Sequence, residues 1–272
     1  MAMLALKEPE QTYWSSSELE TLVERATVRS TADIRRAALT IRDFAADHGL
    51  RAALSDNIAA KDVIVDAEGS VLAAEMFGWV EDGMRWWEDQ QLALHSPLPR
   101  ACRYEAEPFW CNSRGFHTVT PNPYLGSVDL NGYFPDCTGS MAAIIVPVHL
   151  PFAQISANSF VPEDARLDDL SELFAAIGGT LGAITCRFIS GYVAVMRSRR
   201  LIPSDCDLTK REVECLRWAA IGKTDREIGM IIDLSHATIR YHLNRASEKL
   251  NAVNRAQAIF KAGQLGYLGA NG

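Results

Sequence analysis

Apolar positions recur three and four apart in two runs over residues 15–48, "SSSELETLVERA" and "STADIRRAALTIRDFAADHG". The spacing predicts two helices, each opened by a Ser or Thr cap, the second closed at His48-Gly49. "KDVIVDAEGSVLAAEMFG" predicts a hairpin, two β-rich runs about a "DAEGS" turn. "EDGMRWWEDQQLALH" returns to helical spacing and stops where Ser96-Pro97 and Leu98-Pro99 disfavour helical backbone. Between Arg100 and Phe160 short β-like runs ("RACRYEAEPFW", "MAAIIVPVHL", "FAQISANSFV") alternate with turns. Residues 112–140, rich in Gly, Pro and Asn, predict a long irregular segment, a kind that is either functional or disordered. Helical spacing then runs over 163–197, where Gly178-Gly179 and Gly182 permit close helix approach, and "SRRLIPSDCD" reads as a linker.

The last stretch is helical throughout. Thr209-x-x-Glu212 forms a capping box ahead of an apolar stripe of Val213, Leu216 and Ala220, and Gly222 supplies the stop. A second box, Thr224-x-x-Glu227, opens "DREIGMII", and Asp233-Leu234-Ser235 forms a turn. Ser235 caps "HATIRYHLNRASEKL", where Ile239, Leu243, Ala246 and Leu250 fall on one face. The opposite strip carries Arg240, Asn244 and Ser247, flanked by Thr238, His242, Arg245 and Lys249. "NRAQAIFKAGQLGYL" predicts a final helix. The expected fold is an α/β N-terminal domain, an α/β/α sandwich about a mostly antiparallel sheet, plus an all-α C-terminal domain of four helices. The expected boundaries are 1–197, a linker at 198–207, and 208–272.

Charge sharpens this division. Of a formal net charge of −7, residues 205–272 hold ten Lys/Arg against eight Asp/Glu, while the rest holds 17 against 26. An acidic body repels polyanions, so contact with one falls to the C-terminal domain. With 48% hydrophobic and 22% charged residues the chain suits a soluble protein with a real core. No apolar run approaches the roughly 18–20 residues that span a bilayer. "MAMLALKEPEQTYW" lacks a basic n-region, and the six cysteines show no CxxC pair, so a cytoplasmic protein with reduced thiols is expected.

A helix like Ser235–Leu250 fits the major groove, where Arg bonds guanine and Asn bonds adenine. Pattern alone leaves a second reading open, a four-helix interaction domain with a solvated polar face. The stretch from Leu208 to Ile259 resembles the C-terminal helix-turn-helix of LuxR-type transcription regulators almost end to end. Matching positions include Leu208-Thr209, Arg211-Glu212, Gly222-Lys223, Glu227-Ile228, Ser235, Thr238-Ile239, His242, Lys249-Leu250 and Asn254-Arg255. The resemblance implies that Lys223, Thr224, Thr238 and Lys249 touch phosphates and that Arg240 and Asn244 read bases. Ser235, Tyr241, His242 and Arg245 complete the implied DNA-facing set. One departure is Gly229, where the family has Ala, which is expected to loosen the second helix.

Eleven of the 23 aromatic residues lie between Met76 and Phe134. Buried tryptophans need partners for their N–H groups, so such a cluster fits a cavity that uses donors as well as it fits plain core. The order of elements resembles the acyl-homoserine-lactone-binding domain of quorum-sensing LuxR-type receptors. "WWEDQQLALHSPLPRACRYEAEPFW" sets Trp87 at the family's Tyr, Pro97 at its Pro, and Pro108-Phe109-x-Trp110 at the end of the run. "MAAIIVPVHLPFAQISANS" sets Ser156 at a hydroxyl position facing the ligand. The ligand-binding residues so implied are Trp86, Trp87, Ser96, Tyr104, Phe109, Trp110 and Ser156. Ser96 stands where the family has the acid that accepts from the ligand's amide, and Trp87 where a Tyr bonds its acyl carbonyl. Charge-assisted hydrogen bonds are worth roughly 1.5–3 kcal/mol against about 1 for neutral ones. The expected ligand is therefore a small, largely apolar molecule other than a standard acyl-homoserine lactone. A lactone receptor, and an interaction module with a filled core, remain the alternatives.

A phosphoryl-accepting receiver domain is not expected, because two helices precede Asp66 and no βα repeat follows. His95, His117 and His149 are isolated, so no catalytic site, metal or cofactor is expected. The expected partners are a second copy of the chain, with the helix 163–197 as seam aided by 254–265, a two-fold symmetric double-stranded DNA site, and RNA polymerase. No membrane is expected.

Overall fold

The computed structural model describes residues 15–59, 63–79, 96–134, 139–196 and 206–269. They fall in two compact units, residues 1–150 with 154–198, and residues 151–153 with 199–272.

In the first unit α1 (Ser16–Ala26) opens with a capping box between Ser15 and Glu18. It is followed by α2 (Ile34–Asp47), which buries Ile34, Ala37, Ala38, Ile41, Phe44 and Ala45 along one stripe. Among the described residues five strands form one sheet in the order β1-β5-β4-β2-β3, every pairing antiparallel. They are β1 (Leu50–Ala53), β2 (Phe109–Asn112), β3 (Gly115–His117), β4 (Ala142–Leu150) and β5 (Gln154–Pro162).

Alternation along β4 divides the core. Ala142, Ile144, Val146 and Val148 join α1, α2 and the long helix α5 (Ser171–Met196) through Ile34, Ile41, Leu181, Phe188 and Tyr192. Ala143 and Ile145 face the other way, onto Leu98, Ala101, Phe109, Leu125, Leu130 and Phe134. Helices on one face, and short helical turns with irregular chain on the other, give the sandwich its layers.

Four expectations change. Residues 63–77 are not a hairpin: a single bridge joins Val65 to Val71, and the second run is the short helix α3 (Leu72–Glu75). The buried Asp66 carboxylate closes the turn, accepting from the N–H groups of Glu68 (3.0 Å) and Ser70 (2.9 Å) and from Arg35 (3.0 Å). Residues 97–101 form a helix, α4 (Pro97–Ala101), because proline is pre-set for a first helical turn, and strand begins only at Phe109. Within 112–140, β3 and a 3-10 turn (Pro123–Ser127) are ordered elements. The long helix starts at Ser171 rather than at 163, because Asp168 and Asp169 are drawn into side contacts: Arg114 pairs with Asp168 at 3.0 Å and Asp169 accepts from the Ser171 N–H at 2.9 Å.

The expected helix at 81–95, with Trp86, Trp87 and His95, lies outside the described residues, as does most of the linker. Helix α5 is itself long and apolar enough to cross a membrane, contrary to the expectation from apolar runs. Its buried stripe, Ile177 to Tyr192, covers the sheet instead, as a core helix does.

Among its described residues the second unit has four helices, α6 (Lys210–Ala220), α7 (Asp225–Ile232), α8 (His236–Lys249) and α9 (Arg255–Gln264). Ile228, Ile239, Leu243, Ala246 and Leu250 share one core. On α6 the buried stripe is Glu212, Cys215, Leu216 and Ala219, while Val213 is half-buried and Ala220 exposed, so the predicted stripe was rotated by one position.

Candidate functional site

Helices α7 and α8 are joined by a turn of three residues whose geometry rests on Gly229. A Cβ built there would stand 2.5 Å from the Leu234 carbonyl oxygen, closer than real side chains come. Gly229 accepts the Leu234 N–H at 2.9 Å, and Asp233 closes α7 with φ of 54°. The glycine therefore tightens the turn here rather than loosening the helix.

Ser235 caps α8 by accepting the Thr238 N–H at 3.1 Å, and the two hydroxyls lie 2.8 Å apart. Beyond the cap, α8 buries Ile239, Leu243 and Ala246 and exposes Arg240, Tyr241, Asn244 and Arg245. Arg240 and Asn244 lie one turn apart, and among the described residues neither side chain bonds to protein. Arg245 is held by Glu248 at 2.6 Å, Ser247 donates to the Leu243 carbonyl at 2.9 Å, and the half-buried His242 meets the Tyr241 ring edge-on.

A concavity of about 450 Å³ flanks this helix, lined by Lys223, Thr224, Arg226, His236 and Arg255 among others. Thr224 caps α7 and His236 opens α8, so the donors of two helix starts adjoin it, the kind of place where phosphates bind. Arg226, His236 and Arg255 were missed in the sequence. Their signal was position next to a helix start rather than residue type. Arg255 is already bonded to Asp225 and, at 2.6 Å, to the Lys223 carbonyl.

Lys249 sits differently from the other cations. Its ammonium donates to the Glu212 carboxylate at 2.8 Å and to the Asp207 carbonyl at 3.0 Å. Burial pushes the Glu212 carboxyl up, but hydrogen bonds from Lys249 and from the Thr209 backbone and hydroxyl outweigh it and hold the group below the usual carboxylate range. A depressed folded-state value adds stability above the unfolded value near 4.5 and loses it as pH falls through the folded one. The C-terminal unit should therefore weaken on acidification below about pH 4.5, and Glu212→Gln should flatten that dependence. Lys249→Met should cost about 1–3 kcal/mol of stability at neutral pH, by leaving a buried carboxylate without its cation. Urea melts of both variants at pH 4 and pH 7 check both statements.

Among the described residues, those implied for the ligand do not converge on one place. Ser96 and Phe109 lie on the sheet face opposite α5, where the Ser96 hydroxyl donates to the Tyr133 hydroxyl at 3.3 Å. Phe109 is fully buried there, against the edge of Phe116. Trp110 points to the α5 face and stacks on His117 at 3.8 Å. Ser156 is on that face too, fully buried, donating to the Ser55 carbonyl and accepting from Asn158 at 2.8 Å. Tyr104 is half-exposed and stacks on Tyr124. The described members of the expected pocket thus stand on two sides of the sheet, because adjacent strand residues point to opposite faces.

One accessible stretch does appear on the Phe109 face. Along β5, Ile155, Ala157 and Ser159 are half-exposed while their neighbours are buried, and Ser159 lies opposite Ile145 and Ala53. At its β1 edge the Arg51 guanidinium rests 3.9 Å above the Trp79 ring, whose N–H donates to the Ala52 carbonyl at 2.6 Å. Ile155, Ala157 and Ser159 were not named from the sequence, although period-two alternation along "FAQISANSFV" carries their signal, and Tyr133 was read only as one of the clustered aromatic residues.

A family model described as bacterial regulatory proteins, luxR family, matches residues 207–262. The transcriptional activator VanR of Vibrio anguillarum is 33% identical over 132 residues, 48% of this chain and 54% of VanR. The chain thus spans about half the length of the curated relatives that it matches first. A crystal structure of Escherichia coli SdiA aligns at a TM-score of 0.47 and 18% identity, covering 93% of this chain and 98% of that one. The quorum sensing-dependent transcriptional regulator RpaR of Rhodopseudomonas palustris is 48% identical over 192 residues, 70% of this chain and 73% of RpaR. With that identity over most of RpaR's length, and the family's helix-turn-helix geometry at its C-terminal end, the chain belongs to the LuxR family of transcription regulators.

Proposed function

We propose that the chain is a homodimeric, DNA-binding transcription regulator, acting in the cytoplasm on RNA polymerase and controlled by a small, largely apolar molecule other than a simple N-acyl-homoserine lactone. Residues 1–197 sense the molecule and dimerise, and residues 208–272 bind DNA. The observation that carries the DNA part is the pair Arg240 and Asn244, bonded to no protein group among the described residues, on the outer face of a helix anchored by its other face. An Arg and an Asn one turn apart match the acceptor and donor edges of adjacent bases in the major groove. Lys223, Thr224 and Arg226 of the neighbouring concavity take phosphates. Lys249 acts mainly through Glu212.

Dimerisation is supported by the outer strip of α5, where Ala176, Gly179, Cys186, Ser190 and Ala194 are exposed and small enough for a second helix to approach closely. Two reading helices related by two-fold symmetry then address half-sites one helical turn apart.

The ligand part rests on the half-exposed face of β5, which offers apolar surface, the Ser159 hydroxyl and, at Ser96 and Tyr133, neutral hydroxyls in place of a carboxylate. A ring-shaped apolar molecule suits it. Mass spectrometry of protein purified from its native host is expected to find such a molecule. At 100 times its Kd it should raise unfolding stability by about 2.7 kcal/mol. Ser96→Asp is expected to improve binding of an N-acyl-homoserine lactone, followed by tryptophan fluorescence. Submicromolar lactone binding by the unaltered chain, left unchanged or weakened by Ser96→Asp, would refute the ligand reading.

A further inference from the structure

The end of α8 is closed with unusual completeness. Helix C-termini leave four carbonyls without intrahelical partners and concentrate negative partial charge there. Here Ala246 accepts the Leu250 N–H at 2.9 Å, Ser247 the Ala252 N–H at 2.8 Å and Glu248 the Asn251 N–H at 3.0 Å. The Lys249 carbonyl accepts the Cys206 thiol at 3.2 Å. The last two carbonyls, Leu250 and Asn251, both accept from one group on another helix, the ammonium of Lys261 on α9, at 3.1 and 2.6 Å.

Lys261 is 9% exposed. A buried lysine is rare unless a charge or several acceptors compensate it. Among the described residues no carboxylate forms an ion pair with it, so the carbonyls and the negative end of α8 hold it in place. Asn251 meanwhile takes φ of 47°, turning its carbonyl into the same site.

We propose that Lys261 is a positioning residue for sequence reading: by fastening the C-terminal end of α8 to α9, it fixes the axis along which Arg240 and Asn244 enter the groove. This rests on the assignment of those two residues as base readers. Arg240 lies ten residues from Leu250, so about 15 Å along the helix, and a swing of about five degrees at the fastened end displaces it by about 1 Å. A bidentate bond to a base edge tolerates little of that, because hydrogen bonds weaken steeply as distance and angle depart from the optimum. Phosphate contacts from long, flexible cations absorb it. Lys261 therefore governs the discrimination between sequences more than the attachment to DNA.

The test uses the full chain and two probes, a duplex selected by the unaltered chain from a random-sequence pool and a random duplex of equal length. Lys261→Met keeps the apolar stem and removes the cation. It is expected to lower affinity for the selected duplex by about tenfold and for the random duplex by less than about twofold, while Lys261→Arg restores discrimination to within about threefold. Equal losses on both duplexes, no loss on the selected one, or no recovery in Lys261→Arg overturn the proposal. Should Lys261→Met not fold, Lys261→Gln replaces it, with the same expectations. Arg240→Ala in the same assay separates the two claims. If it loses discrimination while the Lys261 variants keep it, only the positioning role fails. If it keeps discrimination, the base-reading assignment fails and the role of Lys261 with it.

Discussion

Replacing Arg240 with Ala should weaken binding to the selected duplex by about 1–3 kcal/mol, roughly 5- to 150-fold, and relax preference at one base-pair position in each half-site. Arg240 is exposed, bonds to no protein group among the described residues, and stands on a helix whose opposite face is locked in the core. Its removal therefore subtracts a contact without loosening the fold. Asn244→Ala should act likewise at a neighbouring position. Lys223→Ala should behave differently, weakening all sequences alike and reducing the salt slope by about one. Binding titrations on single-position variants of the selected duplex distinguish these outcomes, and an unchanged preference in Arg240→Ala would move the reading strip elsewhere on α8.

Phe109→Ala should destabilise the N-terminal unit by about 3–5 kcal/mol with no ligand present. Phe109 is fully buried between Leu98, Cys111, Ile145 and the edge of Phe116, so its loss opens a cavity that fixed strands cannot fill. Were Phe109 chiefly a ligand contact, the ligand-free protein would scarcely notice the change. Urea unfolding of the full chain, followed by tryptophan fluorescence, gives the answer directly, with a loss under about 1 kcal/mol assigning Phe109 to a pocket wall.

The contrast between those two residues shows what the chain disclosed before its structure did. Most of the C-terminal unit was legible, because three of its helices begin with a local device that the sequence displays: the Thr209–Glu212 and Thr224–Glu227 boxes and the Ser235 cap. Local chemistry of that kind acts within four residues and needs no knowledge of the rest of the fold. Lys249 escaped, since its partner Glu212 lies 37 positions away and a basic residue near a DNA-reading strip looks like a phosphate contact.

The N-terminal unit was harder for the same physical reason. Helices α1 and α2 and the pair β4 and β5 follow from periodicity. The face on which Phe109, Trp110 and Ser156 stand depends on register between strands, with Trp110 opposite Ile144 and Ser156 opposite Val148. A one-residue choice of register sends a side chain to the other layer. The turn at Asp66 was read correctly, but the run after it was misread as strand: Arg35, 31 positions earlier, helps the buried carboxylate hold a turn that leads directly into α3 at Leu72.

Sequence-specific, two-fold symmetric DNA reading by α8 is the central prediction for this chain. The most direct measurement is selection of duplexes by the full chain from a random pool, repeated with Arg240→Ala. We predict enrichment of a palindromic site whose half-site centres lie about 10 base pairs apart, with Arg240→Ala erasing preference at the same position of both halves. Failure to enrich any sequence, or enrichment of an asymmetric site indifferent to Arg240, would contradict it.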